Sequence, residues 1–261
     1  MNPAALAAAG AGVVGLAFSL RFHWWRPGKP GVPILMYHQV GPHRKSSPLN
    51  RWRVPPADFA RQLDHLVGLG LRGVALRDLL DEPDAAEKRA VLTFDDGYDA
   101  IRTAALPLLR ARGFSATVFA VTGRLGGTND WDGERPGEAL LSADSLRELH
   151  AADLEIGSHG ATHRALTTLA DGELAAETAG SRATLEELLG APVVSFCYPY
   201  GAVDARAVEA VRSAGYRAAT VIRGGIANGD SDRLRLPRVA VRGTDTFLDF
   251  RLALTRGRSK F

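Results

Sequence analysis

The chain has 261 residues, of which 46% are hydrophobic and 23% charged, with 28 glycines, one cysteine and a formal net charge of +3. This balance is typical of a folded globular protein, because disordered chains have far less apolar content and a larger net charge. It also excludes collagen-like and coiled-coil fibres, and a single cysteine excludes an internal disulfide scaffold. The length fits either two small domains or one large α/β domain.

The basic residues are mainly arginines, interleaved along the chain with almost as many acidic residues. No basic stripe runs along a predicted helix, and the sequence contains no nucleic-acid-binding motif. We therefore expect no nucleic-acid partner.

The N-terminal residues 3–20 are uncharged and are followed by Arg21, by Trp24 and Trp25, and by Arg26. About 18 apolar residues lie at the short limit of a membrane span. A signal peptide normally has a basic region before the apolar run, and a tryptophan pair beside arginine is typical of a membrane interface. We expect residues 3–20 to be a membrane anchor or a signal segment, and the protein to be located in the cell envelope. The positive charges after the segment would instead favour a cytoplasmic domain.

Prolines and glycines in residues 26–31 predict a linker, so the chain divides into an N-terminal segment, 1–31, and a folded domain, 32–261. Short apolar or β-branched runs in the domain predict eight strands. These are Pro33–Tyr37, Gly73–Leu76, Ala90–Phe94, Ala116–Val121, Leu154–Gly157, Val193–Tyr198, Ala218–Ile222 and Leu236–Val241.

Helical patterns lie between the predicted strands, including Ala57–Gly70 and Asp171–Gly190. One face of the first helix carries Phe59, Leu63, Leu66 and Val67. Strands that alternate with helices predict parallel βα units, in an open sheet or a barrel. Seven or eight units favour a distorted (β/α) barrel of about seven parallel strands. Residues 124–140 are predicted to form a long loop at its active face.

Two acidic residues, Asp95 and Asp96, directly follow a predicted strand, although a turn needs only one aspartate and a glycine. His159 and His163 follow another strand at a spacing that lets both imidazoles bind one metal ion, although two unrelated surface histidines would show the same spacing. Together, two histidines and a carboxylate leave positions open on a divalent ion, as in catalytic zinc sites.

Two further segments, residues 196–201 (FCYPYG) and 236–238 (LPR), also lie near predicted strand ends. Pro199 and Tyr200 form either a turn under a hydrophobic lid or a wall for a ring-shaped substrate. Trp131, in the long loop, either stacks on a sugar or packs in the core.

Three motifs follow one another along the chain: TFDDG at 93–97, SHGATH at 158–163 and FCYPYG at 196–201. In these motifs and their order the chain resembles the polysaccharide deacetylase family, with its chitooligosaccharide-deacetylase homology domain. The resemblance spans roughly residues 32–242. LMYH at 35–38 and LPRV at 236–239 are similar to the branch that acts on poly-N-acetylglucosamine and related surface glycans.

The resemblance implies that Asp96, His159 and His163 bind a divalent metal, Zn²⁺ first and Co²⁺ or Ni²⁺ as alternatives. It further implies that Asp95 is the general base and that the backbone N–H of Tyr200 stabilises the oxyanion of the tetrahedral intermediate. This division is chemically sound, because a metal-bound carboxylate stays an anion while its free neighbour takes the proton from the attacking water.

The sequence departs from the family pattern at two places. Cys197 stands where many members have an arginine that orients the base, and no histidine follows His163 to act as the late general acid. Our hypothesis is that Arg238 replaces the missing arginine and that His38 serves as the acid. The alternatives are a structural ion pair for Arg238 and a hydrogen-bonded core residue for His38.

The implied activity is metal-dependent hydrolysis of N-acetyl groups on a GlcNAc-containing polysaccharide, with release of acetate. A hydrolase of the same fold that cuts a formamide or cyclic imide would have similar motifs. A non-catalytic glycan-binding relative is the third interpretation, but it would have no need of Asp95.

Overall fold

A computed structural model of the chain describes Gly15 and residues 27–82, 88–133 and 136–257. Ten strands lie within these residues. In chain order they are β1 (Ile34–Tyr37), β2 (Gln39–Val40), β3 (Arg53–Val54), β4 (Arg72–Val74), β5 (Arg89–Phe94), β6 (Thr117–Ala120), β7 (Glu155–Ser158), β8 (Ser195–Cys197), β9 (Ala218–Thr220) and β10 (Val239–Ala240).

Eight of these strands form one parallel sheet, in which the order β10-β1-β5-β6-β7-β8-β9 forms a continuous path. β4 and β6 share one side of β5, because β4 pairs with Arg89–Val91 and β6 with Thr93 and Phe94. The sheet curls until its ends meet, since Leu236, just before β10, donates to Ala219 and accepts from Val221. The predicted distorted (β/α) barrel is confirmed.

Helices cover the outside of the barrel. They are α1 (Pro56–Gly68), α2 (Leu76–Asp81), α3 (Leu106–Arg110), α4 (Ala143–Ala151), α5 (Asp171–Ala175), α6 (Ser181–Leu189), α7 (Ala205–Ser213) and α8 (Phe247–Arg256). A π-helical turn, Ile101–Ala105, precedes α3, and another, Ala176–Gly180, joins α5 to α6. The predicted helix Asp171–Gly190 is therefore helical throughout but changes its winding in the middle.

Helix α1 buries Phe59, Leu63 and Leu66, which recur at the spacing of one helical face. Val67 is 51% exposed, so its predicted place on that face is wrong. The reason is geometric, since each residue turns the helix by about 100° and Val67 follows Leu66 directly.

All eight predicted strands are present, each with ends shifted by only a few residues. The sequence does not predict β2 and β3, which pair only with each other in a small parallel sheet. With two residues each, they are too short to show an alternating pattern.

The predicted anchor, residues 3–20, lies outside the described residues except for Gly15. Among the helices that the structure describes, none is long and apolar enough to cross a membrane. The predicted linker is held against the domain, because the Lys29 N–H donates to the Thr255 carbonyl at 2.9 Å. The domain boundary at residues 31 and 32 stays a prediction.

Candidate active site

The acidic pair and the first histidine lie at the carboxyl ends of β5 and β7, where the loops of a parallel barrel converge. Backbone hydrogen bonds continue each strand by one residue. The Asp95 N–H donates to the Tyr37 carbonyl at 2.9 Å, and the His159 N–H donates to the Ala120 carbonyl at 2.8 Å. Asp95 and His159 are thus held as firmly as strand residues.

Asp96, His159 and His163 converge on one point. The Nε2 atoms of His159 and His163 lie 3.4 and 3.2 Å from Oδ1 of Asp96. One ligand atom from each of the three lies within 4.8 Å of the others, and all three side chains are buried. Two imidazole nitrogens and one carboxylate oxygen at these separations suit a divalent ion that keeps open positions.

The hydrogen bond of His159 also fits a metal ligand. Its Nδ1 lies 2.7 Å from the Cys197 carbonyl, which can only accept, so Nδ1 carries a proton and Nε2 is the nitrogen that faces Asp96. The pKa of the Asp96 carboxyl is held well below its usual range: burial alone would raise it, and the hydrogen bonds to the two histidines outweigh that effect. Asp96 is therefore an anion, as a ligand must be.

Three residues of the site have left-handed backbone conformations. Asp96, His163 and Tyr200 have φ angles of 69°, 61° and 58°. Such conformations are unfavourable for residues with a Cβ and concentrate at functional sites, where surrounding contacts stabilise them. At Asp96 and Tyr200 the next residue is a glycine, Gly97 or Gly201, that also has a positive φ.

Arg238 binds the second aspartate through both of its carboxylate oxygens. Its two terminal nitrogens lie 2.6 and 2.7 Å from Oδ1 and Oδ2 of Asp95, and the second lies 3.1 Å from Sγ of Cys197. The Cys197 thiol lies 3.6 Å from Asp95 Oδ2. Burial alone would raise the pKa of Asp95, but the charge and the hydrogen bonds of Arg238 outweigh that effect, so the net shift is downward. Asp95 is therefore held as an oriented anion.

The LPR segment does not lie beyond a strand end, contrary to the placement that the sequence suggested. Arg238 comes directly before β10. Val239 and Leu92 both pair with Leu35, so Arg238 is level with Val91 and starts four strand positions below Asp95. Its fully buried side chain extends through the barrel interior and also donates to Thr93 Oγ1 at 3.0 Å.

His38 follows β1 directly and lies on the same side of the barrel as the two aspartates. Its ring stacks on Trp52, with centroids 4.3 Å apart, and its buried Nδ1 has no protein hydrogen-bond partner. Burial lowers the pKa of His38, while Asp96 and Asp95 act in the opposite direction. His38 therefore lies within electrostatic range of both carboxylates, level with Asp95 on the neighbouring strand.

Two aromatic residues border His163. Trp131 stacks on His163, with ring centroids 4.3 Å apart, and Tyr200 contacts the same ring edge-on at 4.6 Å. Tyr200 is 55% exposed, whereas Pro199 is buried beneath it. The structure thus brings Trp131, Pro199 and Tyr200 to the metal-ligand side of the site.

The loop that carries Trp131 is tied to the strand end by Tyr98. The Tyr98 hydroxyl donates to Asp132 Oδ2 at 3.0 Å, and Asn129 Nδ2 donates to the same oxygen at 2.6 Å. Tyr98 is almost fully buried and directly follows Gly97. Its place next to the acidic pair was a signal that the sequence analysis did not use.

Glu177 was also missed, although it supports the loop between the two histidines. Its carboxylate accepts the N–H groups of Ala161 and Thr162 at 2.6 and 3.0 Å, and also the Thr162 hydroxyl. A side chain at Gly160, which has a φ of +80°, would approach Glu177 Oε2 to 2.6 Å. Glu177 belongs to the π-helical turn Ala176–Gly180, and no local sequence pattern marks it.

These features define a buried site in which Asp96, His159 and His163 could hold a metal ion beside an oriented carboxylate, Asp95. The sequence model of the polysaccharide deacetylase family matches residues 82–219, which contain both aspartates, both histidines and the FCYPYG segment. The chain belongs to the polysaccharide deacetylase family.

Individual relatives agree with this assignment. YxkH of Bacillus subtilis (strain 168), named as a polysaccharide deacetylase, is 26% identical over 223 residues, which cover 84% of this chain and 74% of YxkH. BC0361, a polysaccharide deacetylase from Bacillus cereus with a known crystal structure, is 25% identical in sequence, with a TM-score of 0.73. The match covers 87% of this chain and 69% of BC0361. The structure of IcaB from Ammonifex degensii matches with the same sequence identity and TM-score, and the match covers 89% of this chain and 99% of IcaB.

Proposed function

We propose that this protein is a metal-dependent polysaccharide N-deacetylase that removes acetyl groups from a GlcNAc-containing polymer. The observation that carries the proposal is the convergence of Asp96, His159 and His163 beside an aspartate, Asp95, that Arg238 holds in place. The triad can hold a divalent ion, Zn²⁺ or alternatively Co²⁺ or Ni²⁺.

A divalent ion bound there would polarise the amide carbonyl and acidify water. Asp95 takes the proton from the attacking water, because it lies beside the triad and is not one of its ligands. Both its oxygens bind Arg238, which fixes the direction in which their remaining lone pairs point. The depressed pKa keeps Asp95 deprotonated at neutral pH, which is the form that a base needs.

His38 then delivers a proton to the leaving amine. The support is its place directly after β1, level with Asp95, and the Nδ1 atom that has no protein partner. Burial lowers the pKa of His38, and the charges of Asp96 and Asp95 oppose that effect. The stack on Trp52 limits rotation of the ring, so the proton donor has a defined orientation. On the other side of the site, Tyr200 and Trp131 form the wall against which the sugar is placed.

The choice of GlcNAc rests on chemistry and on the motifs. Polysaccharide deacetylation at nitrogen requires an N-acetylated sugar, and the LMYH and LPRV segments resemble the branch that acts on poly-N-acetylglucosamine. Arg238 directly follows Leu236 and Pro237, and its buried side chain binds Asp95. The LPRV segment therefore contributes a residue to the site.

The decisive experiment is an acetate-release assay. The full chain is loaded with Zn²⁺, Co²⁺ or Ni²⁺ and incubated with GlcNAc oligomers, with Asp95→Asn as the matched control because it keeps the shape of the side chain and removes the base. We expect release by the wild type and a loss of about 100-fold or more in the variant. No release with any metal, or equal release by the variant, would overturn the proposal.

We also propose a cell-envelope location, with membrane association through residues 3–20. The support is the uncharged segment followed by a tryptophan pair, together with a polymeric glycan as substrate. Fractionation of cells that express the full chain should recover it in the membrane fraction or outside the cell. Recovery only in the soluble cytoplasmic fraction would contradict this location.

A further inference from the structure

A buried arginine, Arg53 of β3, holds the surroundings of His38 in place. It directly follows Trp52, whose indole stacks on the His38 ring. Its Nε donates to Oε1 of Gln39, the residue after His38, at 3.1 Å. The Gln39 N–H in turn donates to the Trp52 carbonyl at 3.2 Å. Arg53 therefore links the ring on which His38 stacks to the residue that follows His38.

Glu138 joins this arginine to another loop of the barrel. Its mostly buried carboxylate accepts a hydrogen bond from a terminal nitrogen of Arg53 through Oε1. The same carboxylate binds Arg44 through both oxygens, with N–O distances of 2.6 and 2.9 Å. We call Arg44, Arg53 and Glu138 the clasp. Two arginines on one carboxylate restrict it more than a single ion pair would.

The backbone around Glu138 is attached to the residues that follow β5. The Asp99 N–H donates to the carbonyl of Ala139, the next residue after Glu138, at 2.9 Å. The Leu141 N–H donates to the carbonyl of Gly97, which directly follows the acidic pair, at 2.8 Å. The clasp thus connects the residues around His38 with the loop that leaves the acidic pair.

The orientation of the His38 ring depends on these neighbours. The pairing of β1 with β5 places the backbone of His38 level with Asp95, but it does not set the direction of the ring. Within the part of the chain that the structure describes, Nδ1 of His38 has no hydrogen-bond partner. The ring is therefore oriented by its stack on Trp52 and by the backbone that Gln39 continues.

Building on the proposed deacetylase function, we propose that the clasp positions His38 for the transfer of its proton to the leaving amine. Arg53 and Glu138 are then positioning residues, which act through Trp52 and Gln39. As the C–N bond breaks, the amine nitrogen takes the proton that the imidazole gives up. A ring displaced by about 1 Å would slow this step by about 100-fold.

The central test is a double-mutant cycle between Glu138→Gln and His38→Gln, measured by acetate release from GlcNAc oligomers. In the wild-type background, Glu138→Gln should lower kcat by about tenfold or more and change KM by less than about twofold. In the His38→Gln background the same substitution should change kcat by less than about twofold, because the donor that it displaces is already absent. Equal losses in both backgrounds would show that the clasp only supports the fold.

A second measurement varies the leaving group. The ester 4-nitrophenyl acetate is cleaved by the same attack of water on an acetyl carbonyl, but 4-nitrophenolate departs without taking a proton. Glu138→Gln should keep the wild-type kcat/KM on this ester to within about twofold while its turnover of GlcNAc oligomers falls. Equal losses on the ester and the oligomers would contradict the positioning of a proton donor.

A second variant separates position from charge. Glu138→Gln removes an anion from a buried arginine and so costs stability, which circular dichroism and a Zn²⁺ titration of the variant measure. Arg53→Lys keeps the buried charge but replaces the planar guanidinium with one ammonium group, which cannot bind Gln39 and Glu138 in the same geometry. It should show the same dependence on His38 in the cycle, and normal kcat in a folded Arg53→Lys protein would overturn the proposal.

The matched control is Glu186→Gln on helix α6. Its carboxylate also joins an arginine to a neighbouring segment, because it accepts from Arg182 Nε at 2.9 Å and from the Val193 N–H, just before β8, at 3.0 Å. This variant should leave kcat unchanged in both backgrounds. A loss equal to that of Glu138→Gln would show that any such tie affects turnover, which would overturn the proposal.

Failure of the clasp and failure of the proposed function give different results. If the wild type releases acetate and Glu138→Gln does so with the same kcat, the clasp has no positioning role and the deacetylase function stands. If His38→Gln keeps the kcat of the wild type, the clasp has no donor to position, and again only this proposal falls. If the wild type releases no acetate with any metal, the proposed function fails, and the clasp proposal fails with it.

Discussion

The two ends of the barrel each bury a carboxyl group, and the groups that surround it differ. At the carboxyl end, Asp95 binds the charged guanidinium of Arg238. At the opposite end, Glu155 accepts hydrogen bonds from the hydroxyls of Thr117 and Ser195 at 2.7 and 2.6 Å and from the Arg77 N–H at 2.8 Å.

These partners shift the two carboxyl groups in opposite directions. Burial raises the pKa of Glu155, and its neutral donors do not offset the effect, whereas Arg238 brings the pKa of Asp95 below its usual value. Glu155, Thr117 and Ser195 are the first residues of three neighbouring strands, and their hydrogen bonds link these strands at the amino end of the barrel. We call this end the closed end and the carboxyl end, which carries Asp95, the open end. The comparison shows that burial disfavours the charged form of both carboxyl groups and that the partner decides the direction of the net pKa shift.

The open end also carries the backbone strain. Of the five non-glycine residues with positive φ among those described, three belong to the site: Asp96, His163 and Tyr200. The concentration of these residues at the site agrees with the general division of barrels into a catalytic face and a stabilising face. The following predictions test this division, beginning at the open end.

The largest effect is expected from Arg238→Met, which leaves Asp95 buried without its charged partner. We expect the free energy of unfolding to fall by about 3–5 kcal/mol, and turnover to be mostly lost while metal binding is retained. Chemical denaturation and metal titration measure the two effects.

The pH dependence of Arg238→Met adds a sharper test. Without the guanidinium, the pKa of Asp95 rises, so the acidic limb of the kcat/KM profile should move to higher pH. The double variant Asp95→Asn, Arg238→Met should recover part of the lost stability, because it removes the uncompensated charge. Near wild-type turnover in Arg238→Met would contradict a role in orienting the base.

The next largest effect is expected from His38→Gln. If His38 delivers the proton to the amine, kcat should fall by about 10²–10⁴-fold with little change in KM. His65→Gln, on helix α1, is the matched control and should leave kcat unchanged. A His38→Gln protein with normal kcat but lower stability would show that His38 only packs on Trp52.

Glu177→Gln should act through the metal. The substitution keeps the size of the side chain but weakens its hydrogen bonds to Ala161 and Thr162, and outer partners of this kind typically change metal affinity by about 10–100-fold. Titration with Zn²⁺ or Co²⁺ should show weaker binding, and saturating metal should restore most of the turnover. Unchanged affinity would mean that the histidine loop keeps its shape without Glu177.

The smallest effect is expected at the closed end, from Glu155→Gln. In the native state Glu155 keeps its proton to a higher pH than in the unfolded chain, because its folded pKa is raised. The free energy of unfolding of the wild type therefore declines as pH rises from about 4.5 toward the raised folded pKa. The variant lacks this decline and should gain stability relative to the wild type across that window, with unchanged turnover.

Denaturation at several pH values measures the difference, and the exposed Glu187→Gln on helix α6 provides the control. A constant stability difference between Glu155→Gln and the wild type across this range would show that Glu155 is charged in the native protein. The contrast between the two barrel ends would then rest on Arg238 alone.

The strands and the ligand motifs were predictable because their signals are local. Short apolar runs and turn residues determine β5 and β7, and the residues that follow them, Asp95, Asp96 and His159, are placed at the open end by the parallel arrangement itself. The i, i+4 spacing of His159 and His163 is likewise a short-range feature.

Local pattern could not place Val67, detect β2 and β3, or reveal that Glu177 supports the histidine loop. The contacts of Glu177 with Ala161 and Thr162 depend on how a π-helical turn packs against that loop. Nothing in the residues around Glu177 distinguishes it from a solvent-exposed helical glutamate.

The amino-acid sequence by itself determined the family motifs, the order of strands and helices, and the residue types available for catalysis, because these depend on neighbours within a few positions. Only the tertiary structure decided which partners meet. Arg238 reaches Asp95 across 143 positions of chain because the barrel closes β10 onto β1, and Gly243 packs against the backbone carbonyls of Asn50 and Arg53, which are distant in sequence. Such contacts depend on how the whole barrel closes, which no local pattern records.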